Sequence, residues 1–496
     1  MRKLIATALS SLTLVACGTT VPLTGAAPGS DGLGDSTGQT PAAASDMQAG
    51  SSSGAAAPGA ASTSGGTSAG SPGSLAPGQQ SQQHGQHGPT SSIQAPLGER
   101  SAIEIGFAVS QDAGKAFASL GYSGLSTGDG TKQTQAVVGL INAAGGLAGH
   151  PIKPVIFETD PSGSASQFQT ACSLFFDDHH VRAVLEITLN DVIMGCAKQH
   201  GVPLVAAGGI STSDKTLAAN PHTALPNQMS VDEAATQLVN GLVRQGWFKP
   251  SSPAEAVKIG LVTHDDPQYA GVPTIVAARL KAAGLTLADT AYQPYPHGSG
   301  DTATASSAGR SNVFKFQSES INRVLVVDAG GFGMSWFGIS AATQSYYPRF
   351  GLTTLSEPSL EPAVLTPRQL SGSAGIGWVP VLDTSVAMQP AISPRTTTCL
   401  TAMKKAGEDT SLAAERVAAE SLCEAGFTLL DAWSHARPDL TSFQRGLATL
   451  GSNYRPVSVF GADFRRSRAA AHKYRAIQYD AGCNCYRYAG AVADLS

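Results

Sequence analysis

Charge is what this chain has least of for its length. Of 496 residues only 32 are Lys or Arg and 36 are Asp or Glu, for a net charge of −4. The basic residues are scattered apart from Arg465-Arg466-Ser467-Arg468, so the basic face that a nucleic acid demands is missing. Beyond the first sixteen residues no apolar run reaches the ~20 residues that cross a bilayer. Catalytic motifs are missing as well. There is no P-loop, no His-Glu-x-x-His and no Ser/His/Asp set in a fitting context, which argues against an enzyme and against a cofactor. Gly50-Ser51-Ser52-Ser53-Gly54 does match G-x-S-x-G. That motif works only on a strained strand-to-helix turn, and here it lies in low-complexity sequence.

What is present begins with an address. Met1-Arg2-Lys3 precedes an apolar run from Leu4 to Ala16, which ends in Leu14-Val15-Ala16-Cys17. A basic head, a short apolar stretch and small residues before a cleavage point make a secretory signal peptide over residues 1–16. The last four residues resemble a bacterial lipobox, which implies cleavage before Cys17 and diacylation of that cysteine. One acyl chain anchors only marginally, whereas two hold a protein at the membrane. From Cys17 to Gly98 the chain is almost wholly Gly, Ser, Ala, Thr, Pro and Gln. Such a segment cannot bury enough apolar surface to order itself, and ~80 residues of it reach roughly 50 Å as a flexible tether. His84 and His87 within it could chelate a metal ion weakly, but a solvated polar linker is the favoured reading.

From about residue 99 the composition turns globular, and ~400 residues exceed one ordinary core. Strand and helix signals alternate. Ile103 to Val109 reads as a strand, and Val137, Leu140, Ile141 and Ala144 follow helical spacing closed by Gly145-Gly146. Further strands are expected over 154–159, 181–188 and 202–207, with helices over 164–176 and 191–200 between them. The pattern then restarts. Helices are expected over 231–244, 273–283 and 302–319, and strands over 257–263, 287–292, 323–328 and 349–354. Later helices fall around 400–405 and 412–435, the second with Val417, Ser421, Ala425, Thr428 and Ala432 on one face. The tail over 457–488 alternates polar with apolar residues, as terminal antiparallel strands do. Repeated β-α units with continuous apolar strands imply α/β architecture: two doubly wound, mainly parallel lobes with helices on both faces. Ligands of such sheets sit beyond the strands' carboxyl ends.

Seven cysteines less Cys17 leave six, and six allow fifteen pairings. Cys172–Cys196, Cys399–Cys423 and Cys483–Cys485 are favoured, because the first two enclose equal separations and join expected neighbours. A reactive dithiol or metal site at Cys483 and Cys485 remains the alternative for the tight third pair. Asp177-Asp178-His179-His180 invites a metal proposal, but it lies between helix and strand, where a solvated turn is the favoured reading, and no metal is expected.

The segment Ile141-Asn142-Ala143-Ala144-Gly145-Gly146-Leu147-Ala148-Gly149-His150-Pro151-Ile152, with Asp160-Pro161, Gly201-Val202-Pro203-Leu204-Val205 and His264-Asp265-Asp266-Pro267-Gln268-Tyr269-Ala270-Gly271, resembles the type I periplasmic-binding-protein superfamily. Within it the chain is most similar to branched-chain amino-acid-type receptors of ABC transporters. The resemblance covers nearly all of 103–488. It implies three crossings between lobes, near Leu225, 379–383 and 454–456. Lobe one is then 99–224 with 384–455, and lobe two 225–383 with 456–496. A 172–196 bridge also occurs in this family.

The resemblance also implies ligand positions. Thr188, Leu189 and Asn190 follow the third strand. Ala207, Gly208 and Ser211 follow the fourth, where amides and hydroxyls suit a carboxylate. Tyr269 stands for a ligand-facing aromatic, Asp328 with Gly330 and Gly331 ends a lobe-two strand, and Glu357 stands where an acid receives an ammonium. Trp336 and Phe332 suit an apolar wall. Competing structural roles stay open: Asp328 as a helix cap, Ser211 to Ser213 as caps, Trp336 in the core and Glu357 solvated. The long first loop (110–131) and Glu186-Ile187-Thr188-Leu189-Asn190-Asp191 depart from the amino-acid receptors' pattern. The expected function is that of a monomeric, extracytoplasmic lipoprotein that closes on a small polar solute and presents it to an ABC permease. A lipoprotein sensor or surface-interaction protein on the same fold is the other reading.

Overall fold

The computed structural model describes residues 100–114, 125–160, 164–295, 302–390, 393–434 and 437–495. The expected signal peptide, Cys17, the linker with Gly50 to Gly54, His84 and His87, and most of the first loop lie outside these residues. Strand β1 (Ile103–Ser110), helix α1 (Gly130–Ala143), β2 (Ile152–Thr159), α2 (Gln167–Cys172), β3 (Val184–Glu186), α3 (Asp191–His200), β4 (Leu204–Ala206), α4 (Asp214–Ala219) and β5 (Thr223–Ala224) build the first lobe. Its five strands are all parallel in the order β2-β1-β3-β4-β5. The second begins with α5 (Val231–Arg244), β6 (Ile259–His264), α6 (Val272–Ala282), β7 (Leu287–Gln293) and α7 (Thr302–Ser318). It continues with β8 (Arg323–Val326), α8 (Phe332–Thr343), β9 (Arg349–Thr353) and β10 (Ala374–Gly377).

The chain then returns to the first sheet with α9 (Pro394–Lys405), α10 (Ala413–Ala432) and α11 (Leu440–Leu450). α9 and α10 pack on α1, and α10 also on β3 and β4. The last hairpin, β11 (Lys473–Asp480) and β12 (Cys485–Asp494), completes a seven-stranded second sheet in the order β12-β11-β10-β9-β8-β6-β7. Strands β6 to β10 are parallel, and β11 is antiparallel to β10 and β12. The doubly wound two-lobed fold read from the alternating pattern is therefore present. The central strands are mostly apolar and buried on both faces, as helices on each side require.

Several boundaries differ for local reasons. β3 and β4 are only three residues long. The helix expected over 164–176 is α only to Cys172 and widens into a π turn over Ser173–Asp178. The antiparallel tail starts at Lys473 rather than at 457. Between them Asp463 folds back on the backbone N–H of Arg465, and Ala462 bridges Ala471. α8 and α11 were not anticipated. α8 is rich in Gly, Ser and apolar residues and carries no amphipathic stripe.

The three cysteine pairs are joined as favoured. Cys172–Cys196 ties α2 to α3, Cys399–Cys423 ties α9 to α10, and Cys483–Cys485 closes the β11–β12 turn. Among the described residues no helix is long and apolar enough to cross a membrane. None of their His, Cys, Asp and Glu side chains group to hold a metal. His179 instead contacts Glu104 at 3.0 Å, and His180 contacts the Phe176 carbonyl at 2.7 Å.

The crossings are bound to one another. Asn227 on the first accepts from the Trp378 indole at 3.2 Å and donates to Ser458 Oγ on the third at 3.3 Å. Ser458 and Val457 donate their backbone N–H groups to Glu424 of α10 at 2.7 and 2.8 Å, and Tyr454 donates its hydroxyl to the same carboxylate. Asp383, beside the second crossing, accepts from Thr354 and Tyr488 at 2.6 Å each.

Candidate functional site

The carboxyl ends of β3 and β4 face those of β6, β8 and β9, and the loops that leave them meet. The backbone N–H of Gly330 donates to the Gly209 carbonyl at 3.2 Å. At the rim Gln268 Nε2 donates to the Asp191 carboxylate at 2.7 and 2.8 Å. Both contacts join the lobes, so the cleft is shut. Gly209 permits the approach of the lobes, and Gly208 the packing of two lobe-one loops. A methyl group on Gly209 would stand 1.9 Å from Glu357 Oε1, and one on Gly208 would stand 1.9 Å from the Ile187 carbonyl oxygen.

Glu357 is the lobe-two residue aimed at this contact. It caps the short 3-10 turn Thr354–Ser356 with φ 46 and ψ 57, a left-handed conformation. For a residue with a Cβ that costs about 1 kcal/mol or more, and its surroundings must hold it there. Burial, reinforced by Asp328, pushes its carboxyl up to about 7. Glu361 follows one turn later. It is buried, its Oε1 meets Ser335 Oγ at 3.4 Å, and its Oε2 has no hydrogen-bond partner. Burial, with Asp328 and Glu357, holds its carboxyl well above the ordinary range.

The other expected residues take varied places. Asp328 is buried and accepts from the backbone N–H groups of Ala329, Gly333 and Met334 at 2.6 to 2.8 Å. His264 Nε2 lies 2.9 Å from the same carboxylate, and its Nδ1 lies 3.1 Å from the Pro294 carbonyl. Both imidazole nitrogens thus face acceptors. Asp328 anchors the first turn of α8, the capping role that stood beside the ligand role. Tyr269 is fully buried, packs edge-on against His264 and donates to the Asp328 carbonyl at 3.0 Å. Asn190 caps α3 by accepting from Val192 and Ile193. Ser211 donates to the Met229 carbonyl, and Ser213 caps α4. Gly208 is buried and its carbonyl accepts from Gln228. Thr188 is exposed beside the cleft, while Trp336 and Phe332 are half-buried on α8. The structure thus brings Asp328 and Glu357 to one junction with Gly209 and Gly330, sets Gly208 and Ser211 on the lobe-one side of it, and turns Tyr269 into its support.

Sequence reasoning passed over His264, Gln268 and Glu361. The order His264-Asp265-Asp266-Pro267-Gln268 at the end of a strand held a signal for the first two. Nothing local marked Glu361 as buried.

Two α/β lobes, joined by three crossings and closing at the carboxyl ends of their strands, define a hinged binding protein. A periplasmic binding protein family profile matches residues 119–483, more than half of the chain, and the chain belongs to that family. The family consists of extracytoplasmic solute-binding proteins, which are not enzymes. No curated protein sequence matches. Among solved structures, the leucine complex of an ABC transporter substrate-binding protein from Desulfitobacterium hafniense is 16% identical. That match covers 79% of this chain and 100% of the other, with TM-score 0.51. A Rhodopseudomonas palustris solute-binding protein with 4-hydroxybenzoate is 12% identical over 80% and 98% of the two chains, with TM-score 0.57. A branched-chain amino acid ABC transporter protein from Thermus thermophilus with bound valine is 12% identical over 80% and 97%, with TM-score 0.56. At these identities the likeness shows the fold.

Proposed function

We propose that this chain is a lipid-anchored solute-binding protein that closes its lobes on a small polar molecule and delivers it to an ABC permease. The observation that carries this reading is the junction itself. Gly209 and Gly330 hydrogen-bond across the lobes beside a half-buried Glu357 that meets no cation among the described residues. A hinged fold that closes on such groups gains stability from a ligand that completes them. The anchor reading is supported by Leu14-Val15-Ala16-Cys17 and the Gly/Ser/Ala/Pro-rich stretch after it. Lobe one is taken as 99–224 with 384–455, and lobe two as 225–383 with 456–496. The ligand set is taken as Thr188, Asn190, Gly208, Ser211, Tyr269, Asp328, Trp336 and Glu357.

Thermal-shift screening against amino acids, amides, amines, aromatic acids and sugars tests the reading. A ligand at a hundred times its dissociation constant adds about 2.7 kcal/mol of stability. Silence across the panel would favour the sensor or surface-interaction reading. The anchor has its own test: Cys17→Ser should release the protein from membranes, and unchanged retention contradicts lipidation.

A further inference from the structure

The described segments that line the cleft are one-sided in charge. Residues 187–191, 207–213, 264–271, 327–336 and 354–361 hold Asp191, Asp265, Asp266, Asp328, Glu357 and Glu361, and not one Lys or Arg. His264 is the single ionisable base among them, and it is committed to Asp328. Around Glu357, lobe two offers Asp328 at the end of β8, Glu361 on its own loop and His264 behind Asp328. Among the described residues lobe one brings the Gly209 backbone against Glu357 and the apolar Ile210 beside Gly330. No charge of opposite sign among the described residues offsets Glu357, and for Glu361 the only offset among them is the Ser335 hydroxyl. Glu361 Oε2 and Gln268 Oε1, both on buried side chains, lack hydrogen-bond partners. Buried acceptors left open in this way are costly unless something donates to them.

Two of the hydroxyls that could receive a carboxylate are committed elsewhere. Ser211 donates its hydroxyl to the Met229 carbonyl, and Ser213 donates its hydroxyl to Thr216 at the start of α4. Thr212 keeps a buried, unpartnered hydroxyl, which can accept from an N–H or donate its own proton. From the open acceptors, the unopposed carboxyls and the committed hydroxyls together, we infer that the cleft takes an organic cation without a carboxylate: an amine, diamine or guanidine solute, with Glu357 and Glu361 as its counter-charges. The assignment rests on the solute-binding reading and narrows it.

The test titrates the purified chain with putrescine, agmatine and tetramethylammonium, and in parallel with leucine and 4-hydroxybenzoate, by calorimetry and thermal shift. At least one cation should bind and both carboxylate-bearing probes should not. Because the cation favours ionised Glu357, affinity should rise about tenfold between about pH 6 and about pH 8. Glu357→Gln should weaken the cation at least about tenfold and flatten that pH dependence. Glu361→Gln, a second near-isosteric change, should weaken it in the same direction. Binding of leucine or 4-hydroxybenzoate with no response to any cation overturns the cation assignment and leaves the solute-binding reading standing. Silence to all five probes and to the wider solute panel overturns both. Cation binding that is unchanged in both variants overturns the assigned counter-charges.

Discussion

The hinge and the cleft of this protein treat buried carboxylates in opposite ways. Glu424, on α10 at the hinge, is buried and receives the Tyr454 and Ser458 hydroxyls and the N–H groups of Val457 and Ser458. Glu361, beside the cleft, is buried to a similar degree and receives one long contact from Ser335. Burial raises the carboxyl of each. The hinge offsets that cost with donors from the segment it must hold, whereas the cleft leaves it open. A saturated network fixes one arrangement of the chain. An unsaturated one is a place where a ligand gains more than water does.

The comparison breaks most visibly at the hinge. Glu424→Ala strands the N–H groups of Val457 and Ser458 in the interior, and should cost about 3 kcal/mol in denaturant unfolding. A loss below about 1 kcal/mol would mean that the crossing is held elsewhere. Next in size is the pH response of the unliganded protein. The folded-state value of Glu357 is about 7, against an ordinary 4.5. Glu420 is likewise pushed up to about 7 and Asp383 to about 8 by burial. A carboxyl raised in this way supports the fold most fully when protonated. That contribution is complete below about pH 4.5 and is lost as pH climbs through 7 to 8. The melting temperature should therefore fall from pH 5 to pH 8, and Glu357→Gln should make the slope shallower. A slope unchanged in that variant would place the titration elsewhere. The smallest effect belongs to the rim. Gln268→Ala removes the Asp191 contact between lobes and should weaken ligand binding by about 1 kcal/mol while leaving the unliganded melting temperature nearly unchanged.

The fold was far more legible than the site. Continuous apolar strands such as Ile103 to Val109, separated by helical spacing, carry the doubly wound pattern in the chain itself. The cysteine spacing carried the two long disulfides with it. α10 shows where local reading stops. A single stripe was expected on it, yet Glu420 and Glu424 are buried along with its apolar residues, because α1, α9 and the first sheet enclose it. The cleft was harder still. Whether Asp328 meets a ligand or a helix terminus depends on α8, which begins four residues later and carries no periodic signal. The Ser211 hydroxyl is committed to a carbonyl eighteen residues away, and His264 and Asp328 meet across two adjacent strands sixty-four residues apart. Pairings of that kind exist only once the sheets have formed.

The central claim is that the lobes close on a solute at the Gly209–Glu357 junction. Small-angle X-ray scattering of the purified chain, with and without the strongest-binding probe of the panel, measures that closure directly. The radius of gyration of the native chain should shrink with the probe. That of Gly209→Leu, whose side chain would occupy the space of the Glu357 carboxylate, should not change. An unchanged radius in the native chain at saturating probe, or an equal contraction in Gly209→Leu, would contradict the claim.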